Sequence, residues 1–325
     1  MFAARVVSVG WSCLVFAMLL FSNSLHAQPW PDKSIKLLQG FGAGGNADTV
    51  ARILAGPLGE ALGKPVVVEA RTGAGGNIAS EALVRSPADG YTLILLTGGH
   101  AVSAGLYKQL PFHPVDDFSM ISSVTFFPFA LGVRPDHPAQ TLAEFIQYAK
   151  ARPGQVNFSS VGIGSTQHLT GELFASLAGI RMTHVPYRGG AAPLEGLLRG
   201  DVDLLVDTVT FTSGQIKAGK VRALAVTHPQ AWPPLPGVPP LADTLSGFDV
   251  RSWTGIAAPR GTPPAIIDRV NRELRRILSA GEAKSRLETL GNEVRSSSPD
   301  ELRTHIAREV ARWTQVIREA HIPQQ

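Results

Sequence analysis

The sequence predicts an α/β protein of two lobes, each a mainly parallel sheet flanked by helices, joined by a two-strand hinge. Short apolar runs alternate with helical stretches, as in a parallel sheet that is buried on both faces. A β-rich stretch around residues 120–133 and a proline-dense one around residues 232–240 interrupt this alternation. After the N-terminal segment about 300 residues remain, which suggests about two domains.

The first 27 residues have the layout of a secretory signal peptide. Arg5 gives a positive start, residues 6–21 are almost wholly apolar, and Leu25-His26-Ala27 precede the expected cleavage site. The apolar run is about 16 residues long, which is shorter than the roughly 20 residues that a spanning helix needs. We therefore predict export to the periplasm with cleavage near Ala27. An uncleaved N-terminal anchor is the alternative.

Three strands and two helices are predicted for the first part of the exported chain. The strands are residues 35–38, 66–69 and 91–96, and the helices are residues 47–62 and 77–85. In the first helix Val50, Ile53 and Leu54 fall on one face, which is the spacing of a helix packed on a sheet.

The pattern resumes after the first interruption. It continues with a strand at 156–158, a helix at 167–178, a strand at 183–185, further elements at 194–199, 202–206 and 221–226, and a strand candidate at 252–258. If the chain crosses between lobes at both interruptions, lobe 1 is residues 28–128 plus 251–325 and lobe 2 is residues 129–250. Such double crossing makes a hinge of two strands, which favours closure of the lobes.

The C-terminal part is predicted to be helical. Thr262-Pro263-Pro264 starts one helix, and Ser298-Pro299-Asp300-Glu301 is a capping box that starts another. The second helix carries Leu302, Ile306 and Trp313 at helical spacing. We therefore expect it to pack on the sheet of the first lobe.

Two glycine-rich loops are near copies of each other. Residues 41–48 read FGAGGNAD and residues 72–78 read TGAGGNI, and each loop follows a strand and opens a helix. Glycines permit a sharp turn and leave backbone N–H groups at a helix N-terminus, where the helix dipole also attracts an anion. The loops predict a cradle for a carboxylate. Plain βα turns are the simpler interpretation of the same residues.

A dinucleotide site is the second alternative for the first loop. Gly42-x-Gly44-x-x-Ala47 matches a dinucleotide fingerprint, and Glu69 ends the next strand as a ribose-binding acid would. This interpretation leaves the second glycine loop unexplained. A free nicotinamide cofactor is also not expected outside the cytoplasm, so we predict no cofactor.

A third cluster of small residues follows a strand in the expected second lobe. Residues 159–166 read SSVGIGST, and their hydroxyl and N–H groups would hold a ligand from the opposite side of a cleft. His168 follows in the next helix, where a lone histidine is more often a packing residue than a catalyst. Tyr187 walls the cleft or packs in the core. Arg188 either adds positive charge at the mouth or is solvated.

Composition argues against several classes of function. The only cysteine, Cys13, lies in the predicted signal peptide, so the exported chain has no disulfide and no thiol nucleophile. The formal net charge is +4 and the basic residues are scattered, which argues against nucleic-acid binding. There is no Gly-x-Ser-x-Gly elbow and no metal-binding spacing among the nine histidines, so we predict neither catalysis nor a metal site.

An ordered set of short motifs resembles the Bug-type solute receptors of tripartite tricarboxylate transporters over nearly the whole exported chain. The motifs are WPDKSI (30–35), GGxxD (44–48), GAGG (73–76), DGYTL (89–93), LYK (106–108) with LP (110–111), HVPYRG (184–189), GKVRALAV (219–226), LPGVP (235–239) and APRGTP (258–263). Each motif alone is weak, but the ordered set is specific. The resemblance implies a two-lobed, type II periplasmic-binding-protein fold that captures a solute in its cleft for a membrane permease.

The resemblance also implies where the ligand binds. One ligand carboxylate would be held by backbone N–H groups and ordered water at Gly44–Gly45 and Gly75–Gly76, with residues 160–166 and Asp207 reaching from the other lobe. The predicted ligand-binding set is Phe41, Gly44, Gly45, Asp48, Gly75, Gly76, Asn77, Thr97, Ser160, Gly164, Ser165, Thr166, Tyr187, Arg188 and Asp207. Gly42-Ala43 departs from the family, whose members usually have two prolines or small residues there, so a less rigid loop is expected.

The predicted partners are a small carboxylate ligand and a membrane permease, with the chain acting as a monomer. A signalling sensor in place of the permease is the alternative, because such receptors can present their closed, liganded surface to either partner.

Overall fold

The structure, a computed structural model, describes residues 30–325, so the predicted signal peptide and its cleavage site lie outside the described residues. Residues Lys33–Gln325 form one compact unit. Between residues 30 and 325, none of the helices combines the length and the hydropathy of a membrane span.

Strands and helices alternate through most of this part of the chain. The strands are β1 (Ile35–Gln39), β2 (Val66–Ala70), β3 (Thr92–Thr97), β4 (Phe118–Val133), β5 (Asn157–Ser160), β6 (Thr183–Pro186), β7 (Leu204–Thr208), β8 (Arg222–Val226), β9 (Arg251–Pro259) and β10 (Glu293–Val294). The helices are α1 (Asn46–Leu62), α2 (Asn77–Val84), α3 (Gly98–Leu106), α4 (Leu142–Lys150), α5 (Thr166–Ala178), α6 (Ala192–Arg199), α7 (Val209–Lys217), α8 (Pro264–Ser279), α9 (Glu282–Thr289) and α10 (Pro299–Glu319). The predicted α/β class is confirmed.

The strands form one mixed sheet in the order β2-β1-β3-β9-β4-β7-β5-β6, and β8 and β10 also pair with β4. β1 is parallel to β2 and β3, and β5 is parallel to β6 and β7. The pairs that involve β4 or β9 are antiparallel. The expected parallel pairing therefore describes the outer strands, while the middle is antiparallel because β4 and β9 run there in opposite directions.

β4 connects the two ends of the sheet. It pairs with β9 as far as Pro128, which lies opposite Arg251, and from Phe129 onwards it pairs with β7 and β8. Proline has no N–H group to donate to a ladder, so Pro128 suits the point at which β4 changes partners. The limits predicted for the two lobes stay a prediction.

Helices α3, α4, α7 and α9 have no counterpart among the predicted elements. α3 follows β3 directly and starts with Gly98-Gly99, a pair with low helix propensity. Farther along α3, a β-carbon at Gly105 would lie 2.8 Å from the Cα atom of Thr314, so glycine lets α10 lie directly against this helix. The packing of α3 therefore outweighs its propensity.

The predicted capping box at the start of α10 is confirmed. The Glu301 N–H group donates to the Ser298 hydroxyl at 3.2 Å, and the Ser298 N–H group donates to the Glu301 carboxylate at 2.7 Å. Leu302, Ile306 and Trp313 are buried, as the helical spacing predicts.

We expect Ser298→Ala to lower the free energy of unfolding by about 1 kcal/mol, because the N–H group of Glu301 loses its acceptor. Urea denaturation measures the loss, with Ser296→Ala as the control. Equal stabilities of the two variants would contradict a capping role.

Candidate ligand-binding site

A small cavity, called the inner cavity here, lies at the N-termini of four helices. α1, α3, α5 and α7 begin beside it, and each contributes a lining residue at its start, namely Gly45, Thr97, Thr166 and Thr208. The space that a water-sized sphere can enter is about 40 Å³, which is room for about three water molecules. Helix N-termini carry a partial positive charge and unpaired N–H groups, so their convergence favours an anionic group here.

The four helix starts differ in how they are capped. The side chains of Ser165 and Thr208 accept hydrogen bonds from N–H groups in the first turns of α5 and α7. The N-cap residues of α1 and α3, Gly45 and Thr97, make no such side-chain bond. The first N–H groups of α1 and α3 are therefore the groups best placed to bind a ligand carboxylate.

Asp48 holds the first glycine loop in shape. Its carboxylate accepts hydrogen bonds from the Gly44 N–H group at 3.0 Å and from the Arg52 guanidinium at 2.9 Å, and it is only 4% exposed. Burial opposes ionisation of Asp48, but the hydrogen bonds from Arg52 and Gly44 outweigh it and hold its pKa below the ordinary value. Asp48 thus binds the loop backbone and does not line the inner cavity.

The second glycine loop lies beside a wider space, called the outer groove here, of about 670 Å³. Gly73 and Gly75 line this groove together with Arg188, which is exposed. Phe41 and Val161 line both the groove and the inner cavity, so these two side chains separate the two spaces.

The third cluster, residues 159–166, contacts two histidines, of which His168 is buried and His184 is half-buried. The rings of His168 and His184 stack with centroids 4.0 Å apart, and His184 Nε2 lies 2.6 Å from the Ser160 hydroxyl. Burial lowers the pKa of His168 to about 4, and burial together with the neighbouring His168 lowers that of His184 to about 3. Both rings are neutral at pH 7 and act as packing residues, which agrees with the interpretation of His168 from sequence.

Glycines bring the loops of the two halves of the sheet into direct contact. A β-carbon at Gly42 would lie 3.0 Å from the carbonyl oxygen of Arg188, and one at Gly75 would lie 2.7 Å from the carbonyl carbon of Gly164. One at Gly45 would lie 3.3 Å from the Cα atom of Gly190. Because the neighbouring atoms belong to the backbone, a side chain at Gly75 would overlap with them, and one at Gly42 or Gly45 would push them away by a few tenths of an ångström.

Asp207 is the acidic residue of the inner cavity. It is 3% exposed, and its Oδ1 atom accepts from the Thr208 N–H group at 2.7 Å and from Gln167 at 3.4 Å. Its Oδ2 atom is buried and has no hydrogen-bond partner among the described residues. Burial raises the pKa of Asp207 to about 6, although the bonds from Thr208 and Gln167 oppose this rise.

Comparison with known proteins decides the family. Residues 50–322 match the model of the tripartite tricarboxylate transporter family receptor. The chain belongs to this family.

Solved structures of similar proteins agree with this assignment. The receptor is similar to the periplasmic binding protein BugD, with 33% identity and a TM-score of 0.88 over 91% of this chain and 100% of that chain. It is also similar to R. palustris Rpa4515 with adipate, with 34% identity and a TM-score of 0.88 over 91% and 100% of the two chains. For MatC from Rhodopseudomonas palustris with bound malate the identity is 31% and the TM-score 0.85, over 89% and 100%. The predicted Bug-type, two-lobed solute-binding fold is confirmed.

The predicted ligand-binding residues of this receptor fall into three groups. Those that line the inner cavity are Phe41, Gly45, Thr97, Thr166 and Asp207. Those that line the outer groove are Phe41, Gly75, Tyr187 and Arg188, although the Tyr187 hydroxyl packs against Gly196 of α6. Those that line neither space are Gly44, Asp48, Gly76, Asn77, Ser160, Gly164 and Ser165.

Several lining residues of the receptor are absent from the predicted set. They are Asn46, Ala47, Phe127, Val161, Gln167, Gly190, Thr208 and Ser252. Thr208 had a usable signal, because a threonine that ends a strand and precedes a helix is a typical N-cap. Ser252 and Phe127 lie on the two middle strands, whose pairing cannot be inferred from local spacing.

The first loop of the receptor does not favour the dinucleotide alternative. The fingerprint residue Gly42 is covered by the backbone of residues 188–190, where a dinucleotide phosphate would have to approach. Glu69 instead forms ion pairs with Arg71 and with Lys36, the latter at 3.8 Å. Among residues 30–325 there is also no group of three or more side chains able to hold a metal ion.

Proposed function

We propose that this receptor binds a small carboxylate-bearing solute in the inner cavity, without chemical turnover, and delivers it to a membrane permease. The convergence of four helix N-termini on one cavity carries the proposal, because it supplies positive potential and N–H donors without a cationic side chain. Rpa4515 with adipate and MatC with malate are similar receptors that hold dicarboxylates.

The uncapped starts of α1 and α3 would bind the carboxylate, while Thr166 and Gln167 close on it from the other half of the sheet. The small volume of the inner cavity favours a compact ligand. Delivery to a permease, location in the periplasm and the monomeric state rest on the family and on the predicted signal peptide.

Thermal unfolding in the presence of small organic acids tests the proposal. A ligand at a hundred times its Kd stabilises the native state by about 2.7 kcal/mol. We expect such a shift with a group of carboxylic acids and none with the corresponding primary amides, which lack the charge. Stabilisation by NAD(H) alone, or by acids and amides alike, would overturn the proposal.

We expect Gly45→Val to weaken binding of the stabilising acid by about tenfold to a hundredfold, or about 1.4 to 2.7 kcal/mol. The φ angle of Gly45 is −76°, which valine adopts without strain, but its side chain would meet Gly190 across the cleft. Isothermal titration calorimetry measures the change.

Gly56→Val is the matched control, because a β-carbon at Gly56 has no neighbour within 4 Å. Parental affinity in both variants would show that closure of the first loop on Gly190 is not needed for binding.

A further inference from the structure

We propose that Thr210, Trp232, Gly291 and Asn292 form a latch that holds the two halves of the sheet together before any solute binds. The latch consists of two hydrogen bonds that join one half to the other. This inference goes beyond the proposed function, because it concerns the solute-free receptor and does not depend on which solute binds.

One side of the latch is the turn at residues 289–292, which joins α9 to β10. β10 pairs with Thr125 and Phe126 of β4, before β4 changes partners at Pro128. α9 also contacts α1, the helix that follows β1. The turn is therefore attached to the half of the sheet that contains β1, β2 and β3.

The other side of the latch belongs to the half that contains β5, β6 and β7. Thr210 lies in the first turn of α7, which follows β7, and Trp232 packs against Val209 and Val226. β7 and β8 pair with the part of β4 that follows Pro128. A change of angle between the two parts of β4 therefore separates the two sides of the latch.

Two hydrogen bonds join these sides. The Thr210 hydroxyl donates to Asn292 Oδ1 at 3.1 Å, and the Trp232 indole N–H group donates to the Gly291 carbonyl at 3.1 Å. Thr210 and Asn292 are both buried. The Asn292 Nδ2 group donates to the Leu287 carbonyl of α9 at 3.0 Å, so the amide is oriented with its oxygen towards Thr210.

Gly291 brings the backbone of the turn directly against the other half. Its φ angle is +89°, a conformation that favours glycine. A β-carbon at this position would lie 3.0 Å from Cγ1 of Val209 and 3.6 Å from Cβ of Pro234. The two sides of the latch are therefore in van der Waals contact as well as hydrogen-bonded.

The latch lies beside a groove that continues towards the inner cavity. This groove, of about 390 Å³, is lined by Thr210 of α7, Leu290 of the turn and Asn46 of α1. Asn46 also lines the inner cavity. Separation of the two halves widens this groove and breaks both hydrogen bonds, so the latch favours the closed arrangement.

Two substitutions remove the donors of the latch. Thr210→Val keeps the shape of the side chain but leaves Asn292 Oδ1 buried without a donor while the halves are together, whereas water reaches this oxygen once they separate. Trp232→Phe removes the donor to Gly291. We expect the ratio of open to closed receptor to rise about threefold to tenfold in each variant, and at least about tenfold in the double variant.

Double electron–electron resonance between two nitroxide labels measures this ratio without any solute. The labels are attached at Glu60→Cys of α1 and at Lys220→Cys after α7, two exposed positions on opposite halves. Cys13, the only cysteine of the sequence, is replaced by serine, and the receptor is refolded from denaturant to remove bound solute. We expect one main distance in the parent and a second, longer distance in the double variant.

Thr212→Val is the matched control, because its buried hydroxyl donates at 2.9 Å to the Thr208 carbonyl within α7 and does not join the two halves. We expect this variant to give the distances of the parent. Identical distances in the parent and the double variant would overturn the latch, and so would an equal opening in Thr212→Val. Neither result bears on carboxylate binding, which the thermal unfolding experiment decides separately.

Discussion

We expect the Asp207→Asn variant to gain free energy of unfolding relative to the parent as the pH rises. In the ligand-free receptor the difference between variant and parent should be about 3 kcal/mol larger at pH 8 than at pH 4. The reason is that burial raises the pKa of Asp207 from its usual 3.8 to about 6 in the folded protein. A difference of about two pKa units corresponds to roughly 3 kcal/mol of free energy. Asparagine has almost the same shape, keeps an oxygen that accepts from Thr208, and has no charge to bury.

The sign follows from proton binding. Between about pH 4 and pH 6 the folded protein keeps the proton on Asp207 while the unfolded chain has released it, so the parent loses stability as the pH rises through this window. Above pH 6 the loss is complete, and below pH 4 it vanishes because both states are protonated. The variant lacks this dependence, so its advantage over the parent grows across the same window.

Urea denaturation from pH 4 to pH 8, on protein refolded from denaturant to remove any bound solute, measures the effect. Asp243→Asn replaces an exposed carboxyl and serves as the control. A constant difference between parent and variant over the whole range would show that the charge of Asp207 is not destabilising in the fold. Binding-site residues often lower the stability of the fold, so removal of the buried charge at Asp207 is expected to raise the free energy of unfolding.

Local sequence patterns correctly predicted the elements that are formed by residues close together in the chain. The glycine loops follow a strand and open a helix as predicted, because the turn and the helix start are encoded within a few residues of each other. The capping box of α10 is likewise a contact between residues three apart, Ser298 and Glu301. In these places the sequence pattern and the structure agree closely.

Local patterns did not predict which of the predicted site residues form hydrogen bonds or ion pairs within the protein. Asp48 is among the predicted ligand-binding residues, and in the structure its carboxylate pairs with Arg52, one helical turn later, and accepts from the Gly44 N–H group. Ser160 lies in a segment predicted to bind the ligand, and its hydroxyl forms a hydrogen bond with His184 of the neighbouring strand. Both contacts involve a residue outside the motif, one in the next helical turn and one on a neighbouring strand, so the motif alone does not predict them.

The convergence of helix starts is also a property of the whole sheet. α1, α3, α5 and α7 follow β1, β3, β5 and β7, and their N-termini meet only because β4 and β9 bring the two outer sets of strands together. The sequence shows each helix start separately. Their meeting at one cavity requires the order of the strands, which depends on pairings between residues far apart in the chain.

Gly171→Val is expected to lower the free energy of unfolding by about 3 kcal/mol or more, because the valine side chain overfills a closely packed contact. Gly171 faces β5 from the middle of α5, and a β-carbon there would lie 2.5 Å from Cδ2 and 2.7 Å from Cζ of Phe158. Phe158 is fully buried and its ring stacks on His184, so it has no space into which to move. The valine must push α5 away from the sheet.

The same displacement reaches the inner cavity, because Thr166 and Gln167 lie at the start of α5. We therefore expect ligand affinity to fall together with stability. Urea denaturation measures the stability, and Gly214→Val is the matched control, since a β-carbon at this glycine of α7 meets nothing within 4 Å. Control and variant of equal stability would contradict the close packing of α5 on β5.

A second variant separates this overlap from a general effect of valine in a helix. Phe158→Leu replaces the ring that Gly171 faces by a smaller side chain. The double variant Gly171→Ala/Phe158→Leu should therefore lose less free energy of unfolding than the two single variants lose in total. A coupling of about 1 kcal/mol or more between these positions is expected from direct contact. Additive effects would mean that the two residues do not touch in solution, and that α5 is held at its distance from the sheet by other contacts.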